Sequence, residues 1–235
     1  MTTRRVRSID LENPFAETLD GMCELLLVRH GEQKFYENIA LGDALDAPLS
    51  ALGEKQAEAV GMRLATVHID AVYCSSMKRA HDTAWQIARH HNLEPRIRDD
   101  IREIDLWQRA PQDKGLLELY TRQELAEIYR EVTRTRLHSA YPHSEDASEF
   151  KARVVAAIDA IAAENHGHRV AVACHGGVIN AYLSQLFQSG YDHLVSVHHT
   201  SITTVRAADS RRAVITVNDF AHVLPFQHIR GDLNA

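Results

Sequence analysis

Cysteine is scarce in this chain: Cys23, Cys74 and Cys174 are the three among 235 residues. An odd number without CxxC spacing argues against a disulfide framework or a zinc ribbon and fits a reducing compartment, so a cytoplasmic location is expected. Glycine and proline are also few, 11 and 6, which argues against collagenous, low-complexity or long flexible segments. There is no basic excess either: 26 Lys and Arg against 32 Asp and Glu give a net charge of −6 with His neutral. Nucleic acid and anionic membranes both require a basic surface, so neither is expected as a partner. No apolar run exceeds five residues, as from Val154 to Ile158, against the about 20 needed to span a bilayer. Arg4, Arg5 and Arg7 are followed by Asp10, Glu12, Glu17 and Asp20, which leave no apolar signal-peptide core.

What remains is an ordinary globular composition, 45% apolar and 25% charged. Residues 1–22 have no sustained period and read as an arm ahead of one domain over 23–223, with a tail from 224 to 235. Short aliphatic runs at Cys23–Val28, Asp70–Cys74 and Arg169–Cys174 read as buried strands. Helical spacing joins Ala57, Val60, Gly61 and Leu64 behind a Ser50 N-cap, and Met77, Ala80, Ala84, Ile87 and Ala88 in a second helix. Trp85 falls inside that second pattern and reads as core packing. Phe150, Val154, Ile158 and Ile161 mark another helix, Val178 to Phe187 a further one, and Ser201–Arg206 and Ala213–Val217 two closing strands. A polar excursion or lid at about 105–147, with a helix near Arg122–Val132, interrupts the alternation. The pattern predicts a three-layer α/β/α sandwich on a mostly parallel sheet.

In such sheets the ligand crevice lies beyond the carboxyl ends of the strands. The first strand ends in Arg29-His30-Gly31-Glu32, the second in Ser75-Ser76 with Arg79 one turn later, and the strand through Cys174 in His175-Gly176-Gly177. Two His and two Arg therefore converge. Arg offers permanently charged planar donors for phosphate oxygens, and helix N-termini expected after His30 and after Gly176-Gly177 would add backbone N–H groups.

These residues resemble the histidine phosphatases, the phosphoglycerate-mutase-like superfamily, over about Leu25 to Val223. Arg29-His30-Gly31 matches the family's first signature, and Ala47-Pro48-Leu49-Ser50 with Gly53 and Gln56-Ala57 is similar to its next segment. Ser75-Ser76 with Arg79-Ala80 and Thr83-Ala84 resembles the second signature, Arg102-Glu103-Ile104 the segment holding the acid, and Cys174-His175-Gly176-Gly177 the last.

The resemblance implies a phosphoglycerate-mutase-like fold and a phosphomonoester hydrolase with a small-molecule substrate. It implies His30 as the nucleophile that becomes phosphohistidine, and Arg29, Arg79 and His175 as ligands of the nonbridging oxygens, with Gly176 in the substrate site. It implies Glu103 as proton donor and then base, and no metal or other cofactor. Asp105 is the alternative acid. Where the family commonly places an asparagine this chain has Tyr36, so Asn38 is the substitute expected to touch phosphate. The mutase branch carries a longer motif after its first Arg-His-Gly, whereas Glu32-Gln33-Lys34-Phe35-Tyr36 stands here. A phosphatase is thus expected; a mutase-like phosphoryl transferase and a catalytically weak scaffold are the alternatives.

Other features leave alternatives open. The pairs His90-His91, His166/His168 and His198-His199 lack metal-site spacing. Trp107, Tyr120 and Tyr129 either line a substrate pocket or support it from below. Arg109, Lys114, Arg122, Arg130, Arg134 and Arg136 either meet a second anionic group or form a solvated helix surface with the interspersed glutamates. The arm and tail are segments through which a homo-oligomer would pack.

Overall fold

The computed structural model describes residues 21–35, 39–209 and 211–226. Its centre is a six-stranded sheet in the order β3-β2-β4-β1-β5-β6. The aliphatic run from Cys23 makes β1 (Cys23–Arg29), which pairs in parallel with β4 (Arg169–Cys174) and antiparallel with β5 (Ile202–Ala208). β2 (Ala71–Ser75) pairs in parallel with β4 on one side and with β3 (Arg96–Arg98) on the other; β6 (Arg211–Asp219) closes the far edge antiparallel to β5. The sheet is thus mostly parallel, as the β-α alternation predicts.

Helices cover both faces. α2 (Ala51–Leu64) begins at Ser50, whose hydroxyl accepts from Gly53 N–H, and buries Ala57, Val60, Gly61 and Leu64 as their spacing predicts. It packs with α3 (Lys78–Ala88) against Leu26, Val28, Val72 and Ala171. On the opposite face α6 (Ala147–Glu164) and α7 (Gly176–Leu186) enclose Leu25, Leu27, Val170 and Val172. Each leucine of β1 is nearly or wholly inaccessible, so a Leu27→Ala change would cost about 2–5 kcal/mol through lost transfer energy and a residual cavity. No helix among the described residues is long and apolar enough to cross a membrane.

The sheet order positions the site. β2, β4 and β1 are neighbours with parallel carboxyl ends, Arg29 stands opposite Cys174 in register, and His30 N–H donates to Cys174 O at 2.9 Å. Ser75, His175 and His30 are therefore delivered to one end of three adjacent strands.

Two readings need correction, and one strand escapes the sequence pattern. Trp85 is 43% exposed; it lies one residue past Ala84 and so about 100° around the helix from the inward stripe of Ala80, Ala84 and Ile87. No helix follows His30: Gly31 N–H goes to Thr83 Oγ1, Glu32 N–H to Gln56 Oε1 and Lys34 N–H to Pro48 O, so these groups hold the loop instead of a ligand. A Cβ on Gly31 would collide with Gly53 O, so that loop lies directly on the start of α2. The three-residue strand β3 was also absent from the sequence reading, being too short to show a period.

Between Asp105 and Glu145 the chain leaves the sandwich. Asp105 N–H donates to Glu145 Oε2 at 3.1 Å, and Glu145 N–H returns to Asp105 O at 2.9 Å. Beyond this base lie α4 (Leu116–Leu119) and α5 (Arg122–Thr135), and the short α1 (Leu41–Ala44) faces them: Leu41 and Gly42 N–H donate to Lys114 O and Gln112 O.

Candidate active site

His30, at the carboxyl end of β1, is 4% exposed. Its Nδ1 lies 2.6 Å from Gly31 O. A carbonyl only accepts, so Nδ1 carries the proton and Nε2 keeps its lone pair. Arg79 Nε–H points at that lone pair from 3.1 Å. Burial, and then the neighbouring His175, Arg79 and Arg29, hold His30 well below the ordinary imidazole range. The ring is neutral, correctly tautomerised and aimed at a cation.

Arg79 is fixed by more than that contact. Its Nη1 donates to Leu45 O at 2.8 Å, and its own carbonyl accepts from Thr83 Oγ1, the hydroxyl that takes Gly31 N–H. α3 and the β1 loop therefore move as a unit. Arg29 donates through Nη1 to Val197 O, while its Nε is buried without a hydrogen-bond partner among the described residues.

His175 closes the other side, its ring centroid 5.0 Å from that of His30 and nearly edge-on. Ser75 Oγ takes Met77 N–H and lies 2.9 Å from His175 Nε2. The other ring nitrogen, Nδ1, is buried without a hydrogen-bond partner among the described residues. Burial and the two guanidiniums keep His175 neutral too. Arg29 Nε–H and His175 Nδ1 thus both lack a partner among the described residues; leaving such groups dry is costly unless a ligand meets them.

Glu103 approaches from the segment after β3. Gly177 N–H donates to Oε2 and Ile104 N–H to Oε1, each at 3.0 Å. Gly177 is required here, because a Cβ would run into the carboxylate. Burial raises the Glu103 carboxyl above the usual range, against the lowering pull of those two N–H groups and of Arg79 and Arg29. The first N–H groups of α7 are thus partly spent on Glu103.

Arg29, His30, Arg79 and Glu103 line one cavity of about 600 Å³, with His199 and Ser50. His199 was missed in the sequence as a site residue. Its ring centroid is 5.8 Å from that of His30, and burial followed by Arg29 brings its pKa down to about 3. Its neighbour His198 stacks on Phe220, so the His-His pair carries no signal telling which member faces inward. Asp105 accepts Trp107 N–H and lines a second cavity, not this one. Gly176 starts α7 against the Arg29 side chain. Tyr36 and Asn38 lie outside the described residues, as do 1–20 of the arm and 227–235 of the tail. Cys74 and Cys174 are buried thiols whose pKa burial pushes up, Cys74 to about 12, so neither is a thiolate at ordinary pH.

Residues 25–220 match the family model described as histidine phosphatase superfamily (branch 1). Phosphoserine phosphatase 1 of Hydrogenobacter thermophilus is 25% identical over 87% of this chain and 96% of its own. A metal-independent phosphoserine phosphatase of Arabidopsis thaliana is 28% identical over 92% and 91%. Among solved structures, a phosphoglycerate mutase from Bacillus anthracis superposes with a TM-score of 0.71 at 24% identity, covering 87% of this chain and 96% of its own.

Proposed function

The chain belongs to the histidine phosphatase superfamily, and from that premise we propose that it hydrolyses phosphomonoesters through a phosphohistidine on His30, with Glu103 as proton donor. That it is a phosphatase rests on the family and on the phosphatases among its relatives. The observation that carries the mechanism is the state of His30: a neutral ring, proton on Nδ1, lone pair on Nε2, opposite a guanidinium.

A phosphoryl group entering the 600 Å³ cavity takes Arg79 Nε–H from His30 and meets the partnerless Nε–H of Arg29, with His175, beside His30, as a further donor once protonated on Nδ1. Nε2 then attacks phosphorus in line, the bond to the ester oxygen breaks, and Glu103 gives that oxygen its proton. In the second half Glu103, now a carboxylate, takes a proton from water as the water oxygen attacks phosphorus. The P–N bond breaks, and inorganic phosphate and neutral His30 result. Arg29 and Arg79 supply the positive charge that a metal supplies in other phosphatases, and His175 a further hydrogen bond, so the cycle needs no metal. Glu103 fits the acid role better than Asp105, because desolvation raises its carboxyl and it lines the cavity that holds His30.

The test is hydrolysis of p-nitrophenyl phosphate in chelator by wild type and His30→Ala, with trapping of labelled phosphoenzyme in alkaline detergent. Wild type turns over and traps one acid-labile phosphoryl group; His30→Ala loses roughly 10³-fold or more and traps none. Equal turnover by both would remove His30 as nucleophile.

A further inference from the structure

The phosphoryl pocket opens into a second cavity of about 720 Å³; Gln33, Phe35, Arg79 and Glu103 line both. That volume is in the range of sites that enclose a whole organic ligand. Its lining is mainly apolar: Leu41, Leu45, Leu106, Trp107, Leu125 and Tyr129 contribute, with Lys34, Asp105, Gln112 and Arg122 as the further polar side chains. Trp107 is held at 5.7 Å by Tyr141 and at 5.5 Å by Tyr120, which supports the wall from behind. α5 adds Arg122, Leu125, Ala126 and Tyr129 to the lining, Tyr129 at 6.3 Å from the same Tyr141 ring. This helix is amphipathic, yet none of its residues is buried. Leu125 and Tyr129 are four residues apart, hence on one face, and both line the cavity, Tyr129 remaining 47% exposed. An apolar helix face is ordinarily covered.

Continuity with the phosphoryl pocket identifies what covers this one. Phosphorus bound at His30 directs its ester oxygen toward Glu103, and Glu103 stands at the junction of the two cavities. We propose that the enzyme's substrates are phosphomonoesters with a bulky, apolar organic part, aryl or long alkyl, and that the face of α5 with Leu125 and Tyr129 selects them over small polar esters. This rests on the phosphatase reading above.

The test compares n-hexyl with ethyl phosphate, whose leaving alkoxides have matched intrinsic reactivity, so that any preference comes from binding. Wild type is expected to favour the hexyl ester by at least about tenfold in kcat/KM, mostly through KM, and Leu125→Asn and Tyr129→Ser each to cut that ratio by about fivefold to tenfold. A ratio near one, with His30-dependent hydrolysis of both esters, overturns the selectivity and leaves the phosphatase standing. A hexyl preference that both variants retain overturns the role of α5. If neither alkyl ester nor p-nitrophenyl phosphate is hydrolysed by folded protein, the phosphatase reading fails and takes this inference with it.

Discussion

Around His30 the side chains of His30, Arg79 and His175 are buried and every candidate site residue is tied by hydrogen bonds to neighbouring strands or helices, whereas from Leu116 to Thr135 no residue of α4 or α5 is buried. The two regions face each other across the same opening. Phosphoryl transfer needs groups held to a fraction of an ångström, and the strand ends supply that. The organic part of a substrate needs only a complementary surface, and a lightly packed helical wall supplies that. Damage to the floor should therefore lower kcat for every ester, and damage to the wall should change KM for particular ones.

The strongest way to sharpen this contrast is Glu103→Gln. With alkyl phosphates kcat should fall about 10²–10⁴-fold. With p-nitrophenyl phosphate, whose leaving group needs no proton, a phosphorylation burst should persist while steady-state turnover falls, because the base for the second step is gone. The pH profile follows from two opposite shifts. Burial raises the Glu103 carboxyl, so the acid stays protonated to higher pH than a free carboxyl would; burial and the neighbouring positive charges lower His30, so the nucleophile stays neutral to lower pH. The expected profile has its optimum on the acid side of neutral, with kcat/KM falling as pH rises through the raised carboxyl pKa. That alkaline limb should vanish in Glu103→Gln; an unchanged limb would assign it to another group, Asp105 first.

A smaller effect is expected from Ser75→Ala. The hydroxyl holds the His175 ring through a 2.9 Å contact, and losing one such hydrogen bond should lower kcat about tenfold at 1.4 kcal/mol per decade, for large and small esters alike. A loss confined to large esters would break the division between floor and wall. Ser75 also shows how much the sequence discloses. Arg29-His30-Gly31 and His175-Gly176-Gly177 follow aliphatic runs whose only stable place is a buried strand, so both the strands and the residues at their ends were readable without coordinates. The wall was not. α5 follows a clear helical period, but period alone does not tell whether its apolar side meets core or a cavity, and it left the roles of Trp107, Tyr120 and Tyr129 open. Trp107 and Tyr129 turn out to line that cavity and Tyr120 to support Trp107. Of the six cations considered there, Arg122 alone lines the cavity, while Arg130 and Arg134 pair with Glu127 and Glu131 on the helix surface. His199 escaped because it reaches the site from the approach to β5, brought in by long-range packing rather than by a motif.

The smallest effect gives the cleanest discrimination, because the same chemistry is present in both regions. Ser50 caps α2 by accepting Gly53 N–H at 3.0 Å, and Thr121 caps α5 by accepting Glu124 N–H at 3.2 Å. Removing either hydroxyl should cost about 1 kcal/mol of helix stability. α2 buries Val60, Leu64 and four other residues in the sandwich, so it unfolds only with the domain, and Ser50→Ala should lower Tm by about 2–4 °C. α5 buries none, so it can open by itself. Thr121→Ala should leave Tm within about 1 °C of wild type and speed amide exchange over 122–135 about fivefold, the Boltzmann factor of 1 kcal/mol. Equal Tm losses in the two variants would mean that α5 is coupled to the core after all, and a wall that rigid would not adapt to its substrates independently of the floor.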